Sequence, residues 1–138
     1  MTDDITTISQ LKDAIFALVL KKGWGVNGVQ NSQHVAMAMS VEMSELLENF
    51  QWMEKEDVER LQQGLDPERK ARIAEEFADV MMYGLQLMRN LDIDVSAQIE
   101  RKISIVLRRP GGKRGRFITE EEMEQAAEQN VSAADPIK

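Results

Sequence analysis

The chain has 138 residues, enough for one domain with its own core, and its 43% hydrophobic and 30% charged content is typical of globular proteins. Its net charge of −7 argues against nucleic acid as a partner, because such binding depends on neutralising phosphates. The absence of cysteine excludes disulfides and thiolate metal sites. No apolar run is long enough to cross a membrane and the start MTDDITTISQ is not a signal peptide, so we expect no membrane partner and a cytoplasmic location.

The spacing of apolar residues predicts an all-α fold, because they recur every three or four positions and alternating β-branched stretches are missing. A first helix is predicted over about residues 5–22, where the glycine-rich GWGVNG ends it. A second helix begins at Asn31 or Ser32, either of which can cap it, and runs to about residue 53.

The second half of the chain predicts further helices. A polar linker or short helix is followed by Asp66 and Pro67, which favour the start of a long third helix ending near residue 91. DIDVSAQIERKISIVLRR predicts a fourth helix, and TEEEMEQAAEQ a short acidic one. We therefore expect a helical domain over residues 1–117, followed by a short acidic helix and a frayed tail over residues 118–138.

Two pairs of acids lie beside the predicted apolar faces. On a helical wheel, Glu42 falls at the edge of the apolar face of the second helix, and Glu45 lies about 60° to the other side. Glu76 and Asp79 repeat this arrangement on the third helix. If the two apolar faces pack against each other, both pairs meet at one edge of the interface.

Four neighbouring carboxylates repel one another, so they need a partner. Arg69, Arg72 and Lys102 are possible ion-pair partners, and a divalent cation is the alternative. The match between the two wheels favours the cation. Mg²⁺ or Mn²⁺ suits hard oxygen ligands, and Mg²⁺ commonly binds both carboxylates and substrate phosphates.

A basic segment near the C-terminus has two interpretations. Residues 101–116 hold seven of the 17 Lys and Arg residues and no acid. The segment is either a solvated helix end and loop or a site for a ligand that carries phosphate.

The acids and their neighbours resemble a known family. The pattern E-x-x-E followed by E-x-x-D, here EMSE and EFAD, together with FQW and DVMMYG, is similar to MazG-like all-α nucleoside triphosphate pyrophosphohydrolases. The short single-domain branch that includes dCTP pyrophosphatases is most similar, and the resemblance covers about residues 10–110. It implies a four-helix-bundle-like subunit that assembles as a homodimer or homotetramer. It also implies hydrolysis of a (d)NTP to (d)NMP and pyrophosphate with Mg²⁺, for which Mn²⁺ could substitute.

The same resemblance implies roles for individual residues. Glu42, Glu45, Glu76 and Asp79 would be the metal ligands and catalytic residues. The helical wheel adds two points: Glu45, on the outer side of the apolar face, is the candidate for orienting the attacking water, and Glu75, about 40° from Asp79, is a rival ligand. The implied substrate contacts are Trp52, Tyr83, Lys102, Arg108 and Arg109. Trp52 could instead lie in the core or a subunit interface, and Tyr83 could pack between helices. Val106 stands where the family pattern has asparagine, which leaves base and sugar preference open.

Two other functions remain as alternatives. The first is a phosphoribosyl-ATP pyrophosphohydrolase, which is a related helical enzyme. The second is a non-catalytic module that binds another protein's helix through its Met-rich faces. Independently of the resemblance, the wide apolar faces predict self-association.

Overall fold

The computed structural model describes residues 1–108, 121, 124 and 125, and that part of the chain is helical with no β-strand, which confirms the all-α prediction. Its five helices are α1 (Ile8–Lys22), α2 (Ser32–Glu48), α3 (Lys55–Gln62), α4 (Pro67–Asn90) and α5 (Val95–Leu107). Arg109 and almost all of the predicted acidic helix lie outside the described residues. The boundary at residue 117 also lies outside them and stays a prediction.

The long helix α4 is the centre of the packing. It packs most extensively along α2, and it also contacts α1 and α3. As the sequence predicts, Asp66 caps it by accepting a hydrogen bond from the backbone N–H of Arg69, and Pro67 occupies its first turn. The two helices that carry the acid pairs are therefore direct neighbours.

The core lies between α1 and α4. Ile15 and Val19 of α1 pack with Leu85 of α4, and partly buried side chains from Ile8, Leu11, Met82 and Val95 surround them. Val35 on α2 and Val80 on α4 are also buried, at 2% and 4% exposure. Burial of these side chains fixes how α1, α2 and α4 face one another.

The glycine-rich segment after α1 forms a tight loop closed by an isolated bridge between Val26 and Val29. Gly25 has a φ of +76°, and a Cβ there would lie 2.5 Å from the carbonyl oxygen of Val29, so only glycine fits. The loop leads into Asn31, whose side chain accepts hydrogen bonds from the backbone N–H groups of Gln33 and His34 and so caps α2.

Two predicted boundaries change, and one open alternative is resolved. Helix α1 begins at Ile8 and not at residue 5, because Thr7 and Gln10 form a capping box in front of it. The prediction that the second helix reaches residue 53 is wrong, since α2 ends at Glu48 and turns follow it. Trp52 has a φ of +62°, which a right-handed helix does not allow. The segment predicted to be a linker or a short helix forms the helix α3, Lys55–Gln62.

By its internal contacts the chain divides into two units, Met1–Glu100 and Arg101–Lys138. The first contains α1 to α4 and the start of α5. No helix in the described residues is both long and apolar enough to span a bilayer.

Candidate functional site

Packing of α2 on α4 brings three of the four predicted acids together. Glu42 and Glu45 of α2 and Glu76 of α4 each offer a carboxylate oxygen, and these oxygens lie within 4.8 Å of one another. We call these residues the carboxylate trio. Glu42 and Glu76 are half-buried, whereas Glu45 is exposed, in agreement with the helical wheel. The predicted meeting of the two acid pairs at one edge of the interface is therefore confirmed for these three residues.

The fourth acid, Asp79, lies beside the trio without being part of it. It is half-buried on α4, three residues after Glu76. It is close enough to Glu42 and Glu76 that its charge raises the pKa of both. The rival acid Glu75 is exposed and is likewise not part of the trio, although it contributes to the raised pKa of Glu76.

Partial burial and repulsion within this cluster raise the pKa of two of its members. Partial burial, followed by repulsion from Glu45, Asp79 and Glu76, raises the pKa of Glu42 above its ordinary value. For Glu76, the causes of the raised pKa are partial burial and then repulsion from Glu45, Asp79, Glu75 and Glu48. Both groups are therefore held among negative charges without sufficient compensation.

Nearby cations do not neutralise the trio. Within residues 1–100, the ion pairs are Lys55–Glu59, Arg69–Asp66 and Arg89–Asp13. Arg69 thus pairs with its own helix cap, and Arg72 donates from Nε to Oδ1 of Asn49 at 3.4 Å. The sequence left ion pairing of the acids with Arg69 or Arg72 as an alternative. In the described part of the chain, neither arginine forms an ion pair with the trio. Three convergent, uncompensated carboxylates fit a hard divalent cation such as Mg²⁺ or Mn²⁺.

A polar cavity of about 460 Å³ opens beside the trio. It is lined by Glu45, Glu48, Asn49, Gln51, Arg69, Arg72 and Glu76. Neither Glu48 nor Asn49 is among the site residues predicted from the sequence. Glu48 continues the spacing of three residues from Glu42 and Glu45, and this signal could have identified it. Asn49 could not be found in this way, because its position depends on where α2 ends.

A smaller cavity of about 80 Å³ lies between α1, the glycine-rich loop and α4. Its lining is mainly apolar and comprises Ile15, Leu18, Val19, Trp24, Asp79, Met82, Tyr83 and Gln86. Gln86 is buried and donates a hydrogen bond to the side chain of Gln30, which ties the loop to α4. Tyr83 is half-buried in this cavity. Asp79 lines the same cavity, and its charge raises the pKa of both Glu42 and Glu76.

The remaining predicted substrate contacts within the described residues are Trp52, Lys102 and Arg108. Trp52 lies beyond the end of α2 and is 93% exposed, so it is not a core residue of this chain. Lys102 on α5 and Arg108 just after it are exposed and belong to the second unit of the chain.

Comparison with known proteins identifies the family. The family model described as the MazG-like family matches residues 37–127, well over half of the chain, and this range includes the carboxylate trio and Asp79. Neither the curated proteins nor the solved structures contain a match. The chain belongs to the MazG-like family.

Proposed function

We propose that the protein is a nucleoside triphosphate pyrophosphohydrolase that uses a divalent cation to convert a (d)NTP to a (d)NMP and pyrophosphate, as a step in nucleotide-pool house-cleaning. Membership of the MazG-like family suggests this type of function. The observation that carries the proposal is the convergence of Glu42, Glu45 and Glu76 within 4.8 Å, without an ion-pair partner in residues 1–100.

Glu42, Glu45 and Glu76 would hold the cation, with Asp79 as the fourth ligand. When bound, Mg²⁺ would offset the charge of the polyphosphate and make water a better nucleophile at neutral pH. The raised pKa values of Glu42 and Glu76 support this assignment, since a cation would relieve the repulsion that raises them.

Glu45 is the best placed of the trio to receive the proton of the attacking water. It is exposed and lines the polar cavity, whereas Glu42 is half-buried and does not line it. In the proposed reaction, the water oxygen bonds to phosphorus and the bridging bond between the α and β phosphates breaks. Glu45 accepts the proton, and pyrophosphate leaves.

The proposed substrate contacts come from several parts of the chain. Tyr83 lines the small apolar cavity beside Asp79, and Trp52 offers an exposed aromatic face for stacking on a base. Lys102, Arg108 and Arg109 would meet polyphosphate charge. We further propose that the subunit forms a homodimer or homotetramer and that neither nucleic acid nor membrane is a partner.

A pyrophosphate-release assay tests the function. The wild type is incubated with Mg²⁺ and a panel of canonical and modified (d)NTPs plus phosphoribosyl-ATP, next to Glu42→Gln and, as control, Glu56→Gln of the exposed helix α3. We expect metal-dependent release from a (d)NTP that Glu42→Gln loses and Glu56→Gln retains. Turnover of phosphoribosyl-ATP alone, or silence across the panel with folded protein, would contradict the proposal.

A further inference from the structure

The polar cavity carries two guanidinium groups as well as its carboxylates. Arg69 and Arg72 precede Glu76 on α4 by seven and four residues, so all three lie on one face of the helix. The cavity is lined by both arginines together with Glu45, Glu48 and Glu76. Opposite charges therefore share one cavity without forming an ion pair between α2 and α4 in the described residues.

Asn49, at the end of α2, holds the two arginines in place. Nε of Arg72 donates to its side-chain oxygen at 3.4 Å, and Nη1 of Arg69 donates to its backbone oxygen at 3.5 Å. Nδ2 of Asn49 in turn donates to the backbone oxygen of Glu45 at 3.2 Å. The position of the arginines is thus tied to the end of α2, which carries part of the carboxylate trio.

The two arginines differ in how their charge is compensated. Nε of Arg69 lies 3.3 Å from a carboxylate oxygen of Asp66, so its charge is paired. Arg72 makes no ion pair within the described residues, and its terminal nitrogens donate to none of them. A guanidinium held at Nε with its two terminal nitrogens open can donate a pair of parallel hydrogen bonds to a phosphate.

The lining of the cavity selects the part of a nucleotide that fits it. All seven lining residues are polar or charged, and none is aromatic or aliphatic, so a base finds no apolar surface there. Its two arginines are the only positive groups among the lining residues, and two of its three acids belong to the carboxylate trio. With a divalent cation held by the acids, the guanidinium groups are left to meet phosphate.

We propose that Arg72 binds the pyrophosphate portion of the substrate and the released pyrophosphate, with Asn49 as its positioning residue. This inference rests on the proposed function, because it names which part of a nucleotide meets which side chain. As the bond between the α and β phosphates breaks, negative charge grows on the departing pyrophosphate. A guanidinium that already faces this group stabilises that charge.

Calorimetric titration with inorganic pyrophosphate tests the assignment directly. Pyrophosphate is titrated into the full chain in the presence of Mg²⁺, for the wild type, Arg72→Ala and Arg60→Ala. Arg60 is a matched control, because it is an exposed arginine in the last turn of α3 that does not line the cavity. Arg72 is exposed on a helix, so alanine at this position should leave the fold intact, which circular dichroism checks.

We expect pyrophosphate to bind Arg72→Ala about 10- to 100-fold more weakly than the wild type, the usual consequence of losing hydrogen bonds to a charged group. Arg60→Ala should bind like the wild type. Equal affinities for Arg72→Ala and the wild type would overturn the inference, as would a wild type that does not bind pyrophosphate at millimolar concentration.

The design separates this inference from the proposed function. One outcome is that the wild type hydrolyses no nucleotide but binds pyrophosphate, and that Arg72→Ala does not bind it. The anion site then stands and the proposed function fails. If hydrolysis is found and Arg72→Ala leaves inhibition by pyrophosphate unchanged, the function stands and the anion site fails. Inhibition by the (d)NMP product should be the same in both proteins if Arg72 binds the pyrophosphate portion alone.

Discussion

Glu42 and Glu76 illustrate how neighbouring acids affect single residues in this fold. Each is half-buried among other carboxylates, and its pKa is raised in the folded chain. A carboxyl group whose pKa is higher in the folded than in the unfolded state favours folding at low pH. That contribution is lost as the pH rises through the folded pKa. At neutral pH the metal-free protein therefore carries a repulsion that a bound cation would relieve.

Replacing Glu42 with glutamine should consequently stabilise the metal-free protein. Glutamine keeps the size of the side chain and removes one of the repelling charges. We expect the melting temperature at pH 7 with EDTA to rise by about 1–2 °C, because removal of one like-charge contact is worth about 0.2–0.5 kcal/mol. The gain should shrink below pH 4.5, the ordinary pKa of glutamate, where the wild-type carboxyl is protonated as well. A lower melting temperature for Glu42→Gln at pH 7 would count against this explanation.

Binding of the cation should depend on pH in the opposite direction. Because the pKa values of Glu42 and Glu76 are raised, protons compete with the cation at a higher pH than they would at ordinary glutamates. We expect the affinity for Mg²⁺ to fall as the pH is lowered from 7.5 toward 5.5, which calorimetric titration measures. An affinity that does not change over this range would show that these two carboxylates do not bind the cation.

At the scale of helices, Gly84 is a position where the closeness of the packing of α2 on α4 can be tested. Glycine can permit close approach of two helices, and this one lies on the side of α4 that faces α2. A Cβ built there would nevertheless lie 3.6 Å from the Cε of Met39, which is an ordinary contact. Glycine within a helix costs about 1 kcal/mol relative to alanine.

Gly84→Ala should therefore raise the free energy of unfolding by about 0.5–1 kcal/mol, since the methyl group fits and the helix propensity improves. Urea denaturation of the variant and the wild type measures this difference. Gly25→Ala is the contrasting control, because its Cβ would clash with the backbone of Val29 and should destabilise the protein. Destabilisation by Gly84→Ala would mean that α2 and α4 approach more closely than this arrangement shows.

The helices also show what the sequence could and could not predict. Asp66 with Pro67 and Asn31 marked helix starts correctly, because caps act through their immediate neighbours. The meeting of the acid pairs followed from two matching apolar faces. The end of α2 was missed, since the polar and apolar pattern continues to residue 53 while the backbone turns at Asn49. The contacts of Asn49 with two arginines depend on that turn and leave no local signal.

At the scale of the whole molecule, the described residues expose more large apolar side chains than they bury. Within the described residues, the buried hydrophobic side chains are Ile15, Val19, Val35, Val80 and Leu85, whereas many large ones are exposed. Ile99, Ile103 and Val106 on α5 follow the spacing of one helical face and are 54%, 55% and 47% exposed. Such a surface is typical of chains that associate.

We therefore expect self-association that a charge on this face weakens. Ile103→Asp should shift the protein toward smaller species in multi-angle light scattering. Ser104→Asp adds the same charge about 100° around the helix, so it is the matched control and should retain the wild-type mass. A wild type that is a monodisperse monomer at micromolar concentration would contradict the proposed homo-oligomer.

The proposed function depends on the claim that the carboxylate trio holds a divalent cation, and a Mn²⁺ titration followed by electron paramagnetic resonance examines this binding without any substrate. The wild type is titrated with Mn²⁺ next to Glu45→Gln, Glu76→Gln and the control Glu68→Gln, an exposed acid in the first turn of α4. We predict that Glu45→Gln and Glu76→Gln each weaken Mn²⁺ binding by about tenfold or more, while Glu68→Gln leaves it unchanged. Mn²⁺ binding that persists undiminished in Glu45→Gln and Glu76→Gln would contradict the claim.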